Sequence, residues 1–364
     1  MSVSRKLSLF LALLFVSTTI LFFNYFPRYQ VISNNLIKNQ DFSPDHKDWL
    51  IDSRRSTVFG GNGLVSLTVE PGGPSVTVGQ KINLPPFTLV QLTCDFKVDG
   101  VVNGVNPWDT ARVVLVSLDH DGKALYDRPH LLVQQSGTSE WSSASGAFMT
   151  DRDVANVEVA LQLMASQGSM DVKSLSLHKI AVQPEFTRIR QWLLISWIVC
   201  GLLAVAGLLL KYIKNKHQAL AGLVLLLIWA GILLPSSIKY QMAHHIVNGD
   251  IAAANHYLFA RPDQQRFSFI VSAPEWDIFK IGHFVLFGVL ACLLGSRNTY
   301  YLNAFSNIGM LAILALLTEI AQLFIPGRTP SVTDIFIDLS GALIGLMFKA
   351  GLAGCRSGST GQNV

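Results

Sequence analysis

Charged residues are scarce in this chain of 364 residues, because only 14% are Asp, Glu, Lys or Arg, against roughly a quarter in soluble domains. Apolar residues make up 50% of the chain, and the mean hydropathy is +0.39. These figures exclude an ordinary soluble enzyme and predict a protein with membrane-spanning helices. The net charge of +4 is small and its basic residues are scattered, which excludes a nucleic-acid partner.

Cysteines are few as well, and their four positions form no pattern. Cys200 and Cys292 lie in apolar runs, Cys355 lies in the tail, and Cys94 stands alone in a polar segment. This spacing predicts neither a disulfide framework nor a metal site, so we expect no metal and no cofactor. The chain also lacks a phosphate-binding glycine loop and an exposed serine elbow. Whether it is an enzyme is therefore left open.

Long apolar runs are what the chain has instead, and six of them are long enough to cross a membrane as helices. They are residues 7–26, 192–210, 218–238, 279–296, 299–325 and 332–348. The first run lacks the small-residue cleavage site of a signal peptide, which favours an anchor over a removed signal. The sequence thus predicts a multi-pass α-helical membrane protein with six spans.

The basic residues of the loops predict how these spans are oriented, because lysine and arginine collect on the cytoplasmic side. One side receives Arg5, Lys6, Lys211, Lys214, Lys216, Arg297, Lys349 and Arg356. We therefore expect a plasma-membrane protein with both termini in the cytoplasm. The predicted segments are an anchor at 1–26, an extracytoplasmic domain at 27–191, two spans at 192–238, an extracytoplasmic loop at 239–278, a three-helix segment at 279–350 and a cytoplasmic tail at 351–364.

The extracytoplasmic domain alternates apolar and polar residues, as half-buried β-strands do. The alternation is clear at 64–70, 74–82, 89–98, 111–119, 155–164 and 170–180. Turn-rich loops separate these stretches. The domain is therefore predicted to be an antiparallel all-β sandwich inserted after the first span.

The ends of this domain resemble carbohydrate-binding jelly rolls of the cellulase-associated kind. Residues 35–49 read NLIKNQDFSPDHKDW, close to a family opening of Asn-Leu-Ile, Asn-Gly-Asp-Phe and a later Trp, with Gln40 in place of the glycine. The closing phrases SGTSEWSSASGAF (136–148) and GSMDVKSLSL (168–177) also agree. The resemblance implies a jelly-roll fold and a glycan partner.

Two tryptophans are candidates for contact with that glycan. Trp49 is interpreted as a core residue, because large aromatic side chains of small sandwiches are mostly buried. Trp108 lies in the polar loop DGVVNGVNPWDTAR and is the candidate for stacking on a sugar ring.

The last third of the chain resembles the VanZ-like membrane family. The stretches IFKIGHFVLFGVLACLL (278–294) and TEIAQLFIPGRTPSVTDIFIDLSGALIG (318–345) follow its motif order. Asp338 stands where the family usually has Asn, and Asp277 is three residues from Lys280 instead of next to it. Members are associated with low-level resistance to the glycopeptide teicoplanin, so the resemblance implies a role in the cell envelope without giving a reaction.

Seven polar residues of this segment form the predicted polar cluster: Lys280, His283, Glu319, Gln322, Arg328, Asp334 and Asp338. On the last helix Asp334, Asp338, Gly341 and Gly345 share one face, and the two glycines let a neighbouring helix approach closely. Structural roles are the alternatives: Asp334 can close a capping box with Ser331, and Arg328 can pair with Glu319.

The residue types of the cluster suit the phosphate of a lipid. Arg328 and Lys280 would donate to phosphate oxygens, while Glu319, Asp338 and His283 are potential proton carriers. We expect membrane lipids and a lipid-linked glycan precursor as partners at the outer leaflet, with an effect on glycopeptide susceptibility. Two alternatives are open: a membrane enzyme doing acid/base chemistry on a lipid phosphate or glycan linkage, and a structural scaffold or sensor of envelope machinery.

Overall fold

The chain divides into two compact units in a computed structural model. One unit joins Met1–Phe26, Pro184–Ile246 and Gln265–Val364, and the other joins Pro27–Gln183 and Val247–Gln264. The structure describes residues 3–44, 46–52, 56–60, 62–106, 108–125, 130–150, 154, 156–164, 167–212, 216–233, 266–271, 278–294, 300–325 and 330–358.

The second unit is an antiparallel sandwich of two sheets. Its strands are β1 (Tyr29–Val31), β2 (Leu50–Ile51), β3 (Thr57–Phe59), β4 (Leu64–Val69), β5 (Val76–Ile82), β6 (Leu89–Val102), β7 (Ala111–Leu118), β8 (His130–Gln135), β9 (Gly137–Met149), β10 (Asn156–Leu163) and β11 (Gln167–Val182). One sheet has the order β3-β4-β11-β6-β9, with β1 on β11, and the other has the order β2-β5-β10-β7-β8. From β4 to β7 successive strands alternate between the sheets, which is jelly-roll topology.

The alternation of the sequence places the core between these sheets. In β4 the side chains of Val65, Leu67 and Val69 are buried, whereas Ser66 and Thr68 between them are not. The same rule puts the valines and leucines of both sheets into one hydrophobic cluster. The six stretches that alternate in the sequence coincide with β4, β5, β6, β7, β10 and β11, so the predicted all-β sandwich is confirmed.

The opening motif of the sandwich closes one end of this core. Trp49 stacks on Phe42 with ring centroids 5.1 Å apart, and both side chains are buried. The indole Nε1 of Trp49 donates a hydrogen bond of 3.1 Å to the carbonyl oxygen of Asn39. Trp49 is therefore a core residue, as its sequence context predicted.

The first unit contains six helices in the described residues. They are α1 (Val3–Tyr25), α2 (Pro184–Tyr212), α3 (Lys216–Leu233), α4 (Ile278–Leu294), α5 (Tyr300–Gln322) and α6 (Val332–Gly358). They lie at the positions of the six predicted spans. None of them, over the residues described, combines the length and the apolar composition that a membrane crossing needs.

The predicted multi-pass membrane fold with six spans is therefore wrong. A crossing needs about 20 consecutive apolar residues, and α3 and α4 have 18 and 17 residues. Two longer helices include charged residues, Arg188 and Arg190 in the first two turns of α2 and Asp338 and Lys349 in α6. The two-sided topology that rested on these spans has no support in the structure.

Glycines bring α4 and α6 into backbone contact. A methyl group on Gly341 would overlap the carbonyl oxygen of Phe284, and one on Gly345 would overlap that of Gly288. The predicted close approach at these two glycines is thus present, with α4 as the neighbouring helix. This contact fixes the first half of α6 against α4, where the polar residues of both helices lie.

Candidate functional site

Glu319 is the buried acceptor at the end of α5, with an exposure of 1%. Its Oε1 accepts a hydrogen bond of 2.9 Å from Gln322 Nε2, one turn later on the same helix. Its Oε2 accepts one of 2.9 Å from the backbone N–H of Ser331, just before α6 begins. Glu319 therefore joins the end of α5 to the start of α6.

Ser331 and Asp334 cap the first turn of α6. The backbone N–H of Asp334 donates to Ser331 Oγ over 3.2 Å, and Ser331 Oγ donates to Asp334 Oδ2 over 2.9 Å. The other carboxylate oxygen of Asp334 lies 3.6 Å from the ammonium of Lys280 on α4. Ser331 is therefore the N-cap, as the sequence predicted, but the capping box is incomplete, because the backbone N–H of Ser331 donates to Glu319 and not to Asp334.

The short segment 266–271 packs on the same helix start. The backbone N–H of Ser268 donates to Pro330 O over 2.9 Å, and the N–H of Val332 donates to Ser268 O over 3.0 Å. The side chain of Asn24 on α1 holds the neighbouring Phe267 through both its backbone N–H and its carbonyl oxygen. The start of α6 is thus held by backbone contacts besides those to Glu319.

His283 and Asp338 form a pair of a different kind. Asp338 lies one turn after Asp334 and is 1% exposed. Its Oδ1 is 3.6 Å from His283 Nδ1, and in the described part of the chain neither carboxylate oxygen has a hydrogen-bond partner. Burial raises the pKa of Asp338 above its ordinary value, while His283 lowers it and the charge of Asp334 raises it further.

The predicted polar cluster therefore separates into two sets. Lys280, Glu319, Gln322 and Asp334 are engaged in contacts that join helix ends. His283 and Asp338 face each other below them. Arg328 lies outside the described residues, as does Asp277.

Trp108 lies in the loop after β6, where the sequence places it. Asp109 shapes this loop, since its Oδ2 accepts hydrogen bonds from the backbone and the side-chain amide of Asn106. The backbone N–H of Thr110 donates to the carbonyl of Trp108 over 2.9 Å. The Trp108 side chain is 44% exposed, so its ring is open to a ligand.

Trp141 is a second exposed tryptophan of the sandwich that sequence reasoning did not single out. It lies on the edge strand β9 and is 40% exposed. The ammonium of Lys173 lies 4.1 Å from the centre of its ring, which is a cation–π contact. Next to it, hydrogen bonds from Ser143 and Ser174 hold the pKa of Asp95 below its ordinary value. The sequence signal for Trp141 was its place as an aromatic residue within a serine-rich, otherwise polar strand.

A shallow recess lies on the outer face of the other sheet, lined by Leu50, Ile51, Asp52, Thr77, Gly79 and Glu158. Burial raises the pKa of Glu158, although nearby Lys81 acts to lower it. Asp52 Oδ1 accepts a hydrogen bond from the backbone N–H of Thr77. Neither here nor elsewhere in the described residues do three or more ligating side chains come together as a metal site would require.

A comparison with family models agrees with the resemblance seen in the last third of the sequence. Residues 221–351 match the family model described as VanZ/LLP1. This match contains all seven residues of the predicted polar cluster and begins within α3, earlier than the sequence motifs did. The C-terminal part of the chain is thus a VanZ-like domain. No curated protein matches the chain.

Several solved structures are similar to the sandwich. They include the enzymatically active domain of tailspike protein 4 of bacteriophage CBA120, with 12% identity over 41% of this chain and 21% of that chain and a TM-score of 0.29. A family 16 carbohydrate-binding module-2 has 21% identity over 39% of this chain and 99% of that chain, and a TM-score of 0.29. The N-terminal cellulose-binding domain of Cellulomonas fimi β-1,4-glucanase C has 14% identity over 40% of this chain and 97% of that chain, and a TM-score of 0.29. The jelly-roll assignment rests on the strand order given above.

Proposed function

We propose that this protein binds a glycan-bearing ligand of the cell envelope, with the VanZ-like domain holding a lipid phosphate and the sandwich holding the sugar. The observation that carries the proposal is the buried His283–Asp338 pair. A buried carboxylate without a hydrogen-bond partner is unusual in a purely structural network, since unsatisfied polar groups cost free energy. The match of residues 221–351 to the VanZ/LLP1 family model supports the proposal, because it contains both residues of this pair.

The charges near this pair suit an anionic group. Lys280 and His283 lie one turn apart on α4, and their side chains are 29% and 16% exposed. The ammonium of Lys280 lies 3.6 Å from Asp334 Oδ1, and the proposed phosphate binds beside this ion pair. A phosphate would thus meet Lys280 first and His283 next, and the carboxylates behind them would keep the two side chains in place.

The lipid side of the proposal is tested with farnesyl phosphate as the probe and farnesol as its matched control. Isothermal titration of the full chain should give binding to farnesyl phosphate and none to farnesol, because only the former carries the anion. Replacing Lys280 by Met should weaken the binding of farnesyl phosphate at least tenfold. Equal binding of the two probes would contradict a phosphate site.

The sugar side rests on Trp108, whose exposed ring can stack on a pyranose. The probe is the β-1,4-linked tetramer of N-acetylglucosamine. Trp108→Ala should weaken its binding about fivefold, because ring stacking contributes about 1 kcal/mol. Trp141→Ala is the matched control, since Lys173 already covers that ring, and it should bind as the wild type does. Loss of binding in Trp141→Ala alone would move the sugar site to β9.

A scaffold is the second candidate, and the hydrogen bonds of Glu319 favour it. These hydrogen bonds join two helices and use both carboxylate oxygens of Glu319, as expected for a residue with a structural role. The two functions are separated by comparing Glu319→Gln with His283→Gln in a host tested for teicoplanin sensitivity. The proposed function expects His283→Gln protein to accumulate and to lose the phenotype. A scaffold expects the phenotype to follow protein abundance in both variants.

A further inference from the structure

Asp338 has an unusual environment for an ionisable side chain. Its carboxylate is 1% exposed, and within the described chain His283 at 3.6 Å is the group that faces it. The side chain of His283 is 16% exposed and that of Asp338 is 2% exposed. His283 is therefore the member of the pair that is nearer to solvent.

The other charged groups nearby have partners of their own. On α4 the ammonium of Lys280 lies near Asp334 of α6. On α5 Glu319 accepts hydrogen bonds from Gln322 and Ser331. The helix α3 also packs on α4 and has no ionisable residue from 218 to 233. Asp334 acts on Asp338 only as a negative charge one turn away.

Helix packing keeps the two side chains together. Gly341 lies one turn after Asp338 on α6, and its backbone touches the carbonyl of Phe284, the residue after His283. Because α4 and α6 are in backbone contact at this point, neither helix can turn to bring Asp338 to solvent without losing that contact. Asp338 must therefore be neutral, or be stabilised as a carboxylate by the charge or the hydrogen bond of a group that already lies near it.

We propose that His283 and Asp338 form an acid–base pair that shares a proton between Nδ1 and Oδ1, with Nε2 of His283 exchanging a second proton with a phosphate oxygen of the ligand. This inference rests on the proposed function and names the chemistry of the same site. On transfer, the Nε2–H bond of the imidazolium breaks, its electron pair stays on Nε2, and an O–H bond forms on the phosphate, while Nδ1–H stays directed at the Asp338 carboxylate. Asp338 is a positioning residue that balances the charge of His283.

Asp338 is also a departure from the resembled family, which usually has Asn at this position. An asparagine would fill the same space and offer an amide to the imidazole, but it could not take up a proton. The aspartate therefore adds a titrating group without adding volume. This substitution distinguishes a proton-holding pair from a neutral hydrogen-bonded one.

The pair is tested without ligand by following the carboxyl carbon of Asp338 by NMR as the pH changes, in the full chain labelled at aspartate. The resonance is assigned by its absence in Asp338→Asn. His283→Gln should move the titration midpoint of Asp338 upward by about one pH unit or more, because the favourable cation is lost. Asp334→Asn is the sign-matched control and should move the midpoint downward, because a like charge is removed. An unchanged midpoint in His283→Gln would overturn the pair.

The proton transfer is tested by titrating farnesyl phosphate in two buffers of different ionisation enthalpy, which reports the protons exchanged on binding. Asp338→Asn should change that number by about half a proton or more near neutral pH and leave folding intact. If Asp338→Asn leaves the number of exchanged protons unchanged while His283→Gln still shifts the titration midpoint of Asp338, the proton transfer to phosphate is overturned but the His283–Asp338 pair is not. Absence of farnesyl phosphate binding in the wild type overturns the proposed function and the transfer, while the NMR result still decides the pair.

The yield of folded protein from the His283→Gln variant tests the pair in a further way. If His283→Gln fails to accumulate, the double variant with Asp338→Asn is made, because it removes the buried carboxylate that lost its partner. Recovery of folded protein in the double variant supports the pair, since the defect then comes from an unbalanced charge. Failure of both variants would indicate a packing role for His283 and overturn the proposal.

Discussion

Two buried carboxylates of the VanZ-like domain, those of Glu319 and Asp338, differ in their hydrogen bonding. Glu319 uses both carboxylate oxygens in hydrogen bonds that join two helices. Asp338, on a neighbouring helix and equally buried, has His283 as the one group facing it among the residues described. The same side-chain chemistry therefore supports structure at one position and a titrating site at the other.

Glu319→Gln should destabilise the helical unit by about 1–3 kcal/mol, because an amide cannot accept both hydrogen bonds and a buried donor is left unpaired. The measurement is the thermal midpoint followed by the helix signal in circular dichroism. Ser340→Ala on the exposed side of α6 is the control and should melt like the wild type. A Glu319→Gln protein that melts like this control would exclude a structural role for Glu319.

Stability should also depend on pH through Asp338. Burial raises its folded pKa, so between the unfolded pKa of about 3.9 and the folded pKa the folded state binds more protons. The stabilising contribution of Asp338 to the free energy of unfolding is fully present below the unfolded pKa and is lost as the pH rises through the folded pKa. Melting of the helical unit from pH 4 upward should show this loss in the wild type. Asp338→Asn should remove it, and a slope that persists in the variant would assign the effect to another group.

At the scale of elements, α4 and α6 form a pair whose separation is set by glycine. Gly341 and Gly345 each meet a carbonyl of α4 where a Cβ would stand. The two helices contribute Lys280, His283, Asp334 and Asp338, so their spacing sets the distances within the site.

Gly341→Ala and Gly345→Ala should each lower the stability of the helical unit by about 1–3 kcal/mol, because the added methyl forces the helices apart. Gly351→Ala on the same helix is the matched control, since open space surrounds it. That control should be neutral or slightly stabilising, because alanine favours helix more than glycine does. Thermal midpoints of the three variants check the prediction, and equal values for all three would contradict the backbone contact.

At the scale of the whole molecule, the chain comprises two units with different architectures. The sandwich has its own hydrophobic core between two sheets. Its cysteine, Cys94, is buried, and burial raises its pKa to about 12, so the thiolate is scarce at neutral pH.

Residues 27–183 expressed alone should fold as a β-rich monomer whose stability does not depend on reducing agent. The physical reason is that the buried side chains of both sheets come from this segment and that Cys94 is unreactive. Circular dichroism with and without reductant checks the prediction. A disordered product, or one stabilised by oxidation, would contradict an independent jelly roll.

The fold was largely predictable where local pattern and burial agree. Alternation in β4 and β5 gave the strands, because each has one face in the core. The edge strand β9 was harder, since its residues around Trp141 are polar and mostly exposed on both faces. For α2 and α6 hydropathy marked the helices but misled about their ends, because helical hydrogen bonding continues past the apolar run into charged residues such as Arg188 and Lys349.

The jelly-roll strands, the positions of the helices, the N-cap at Ser331 and the shared face of Asp338 and Gly341 could be predicted from the sequence alone. These follow from periodicity and from interactions within a few residues. The tertiary structure decided that Glu319 bonds across to Ser331 and that His283, rather than Lys280 or Glu319, faces Asp338. Spacing along α4 and α6 fixes which residues share a face, but the axial offset between helices fixes which faces meet. That offset depends on the glycine contacts of Gly341 and Gly345, which join residues far apart in the chain.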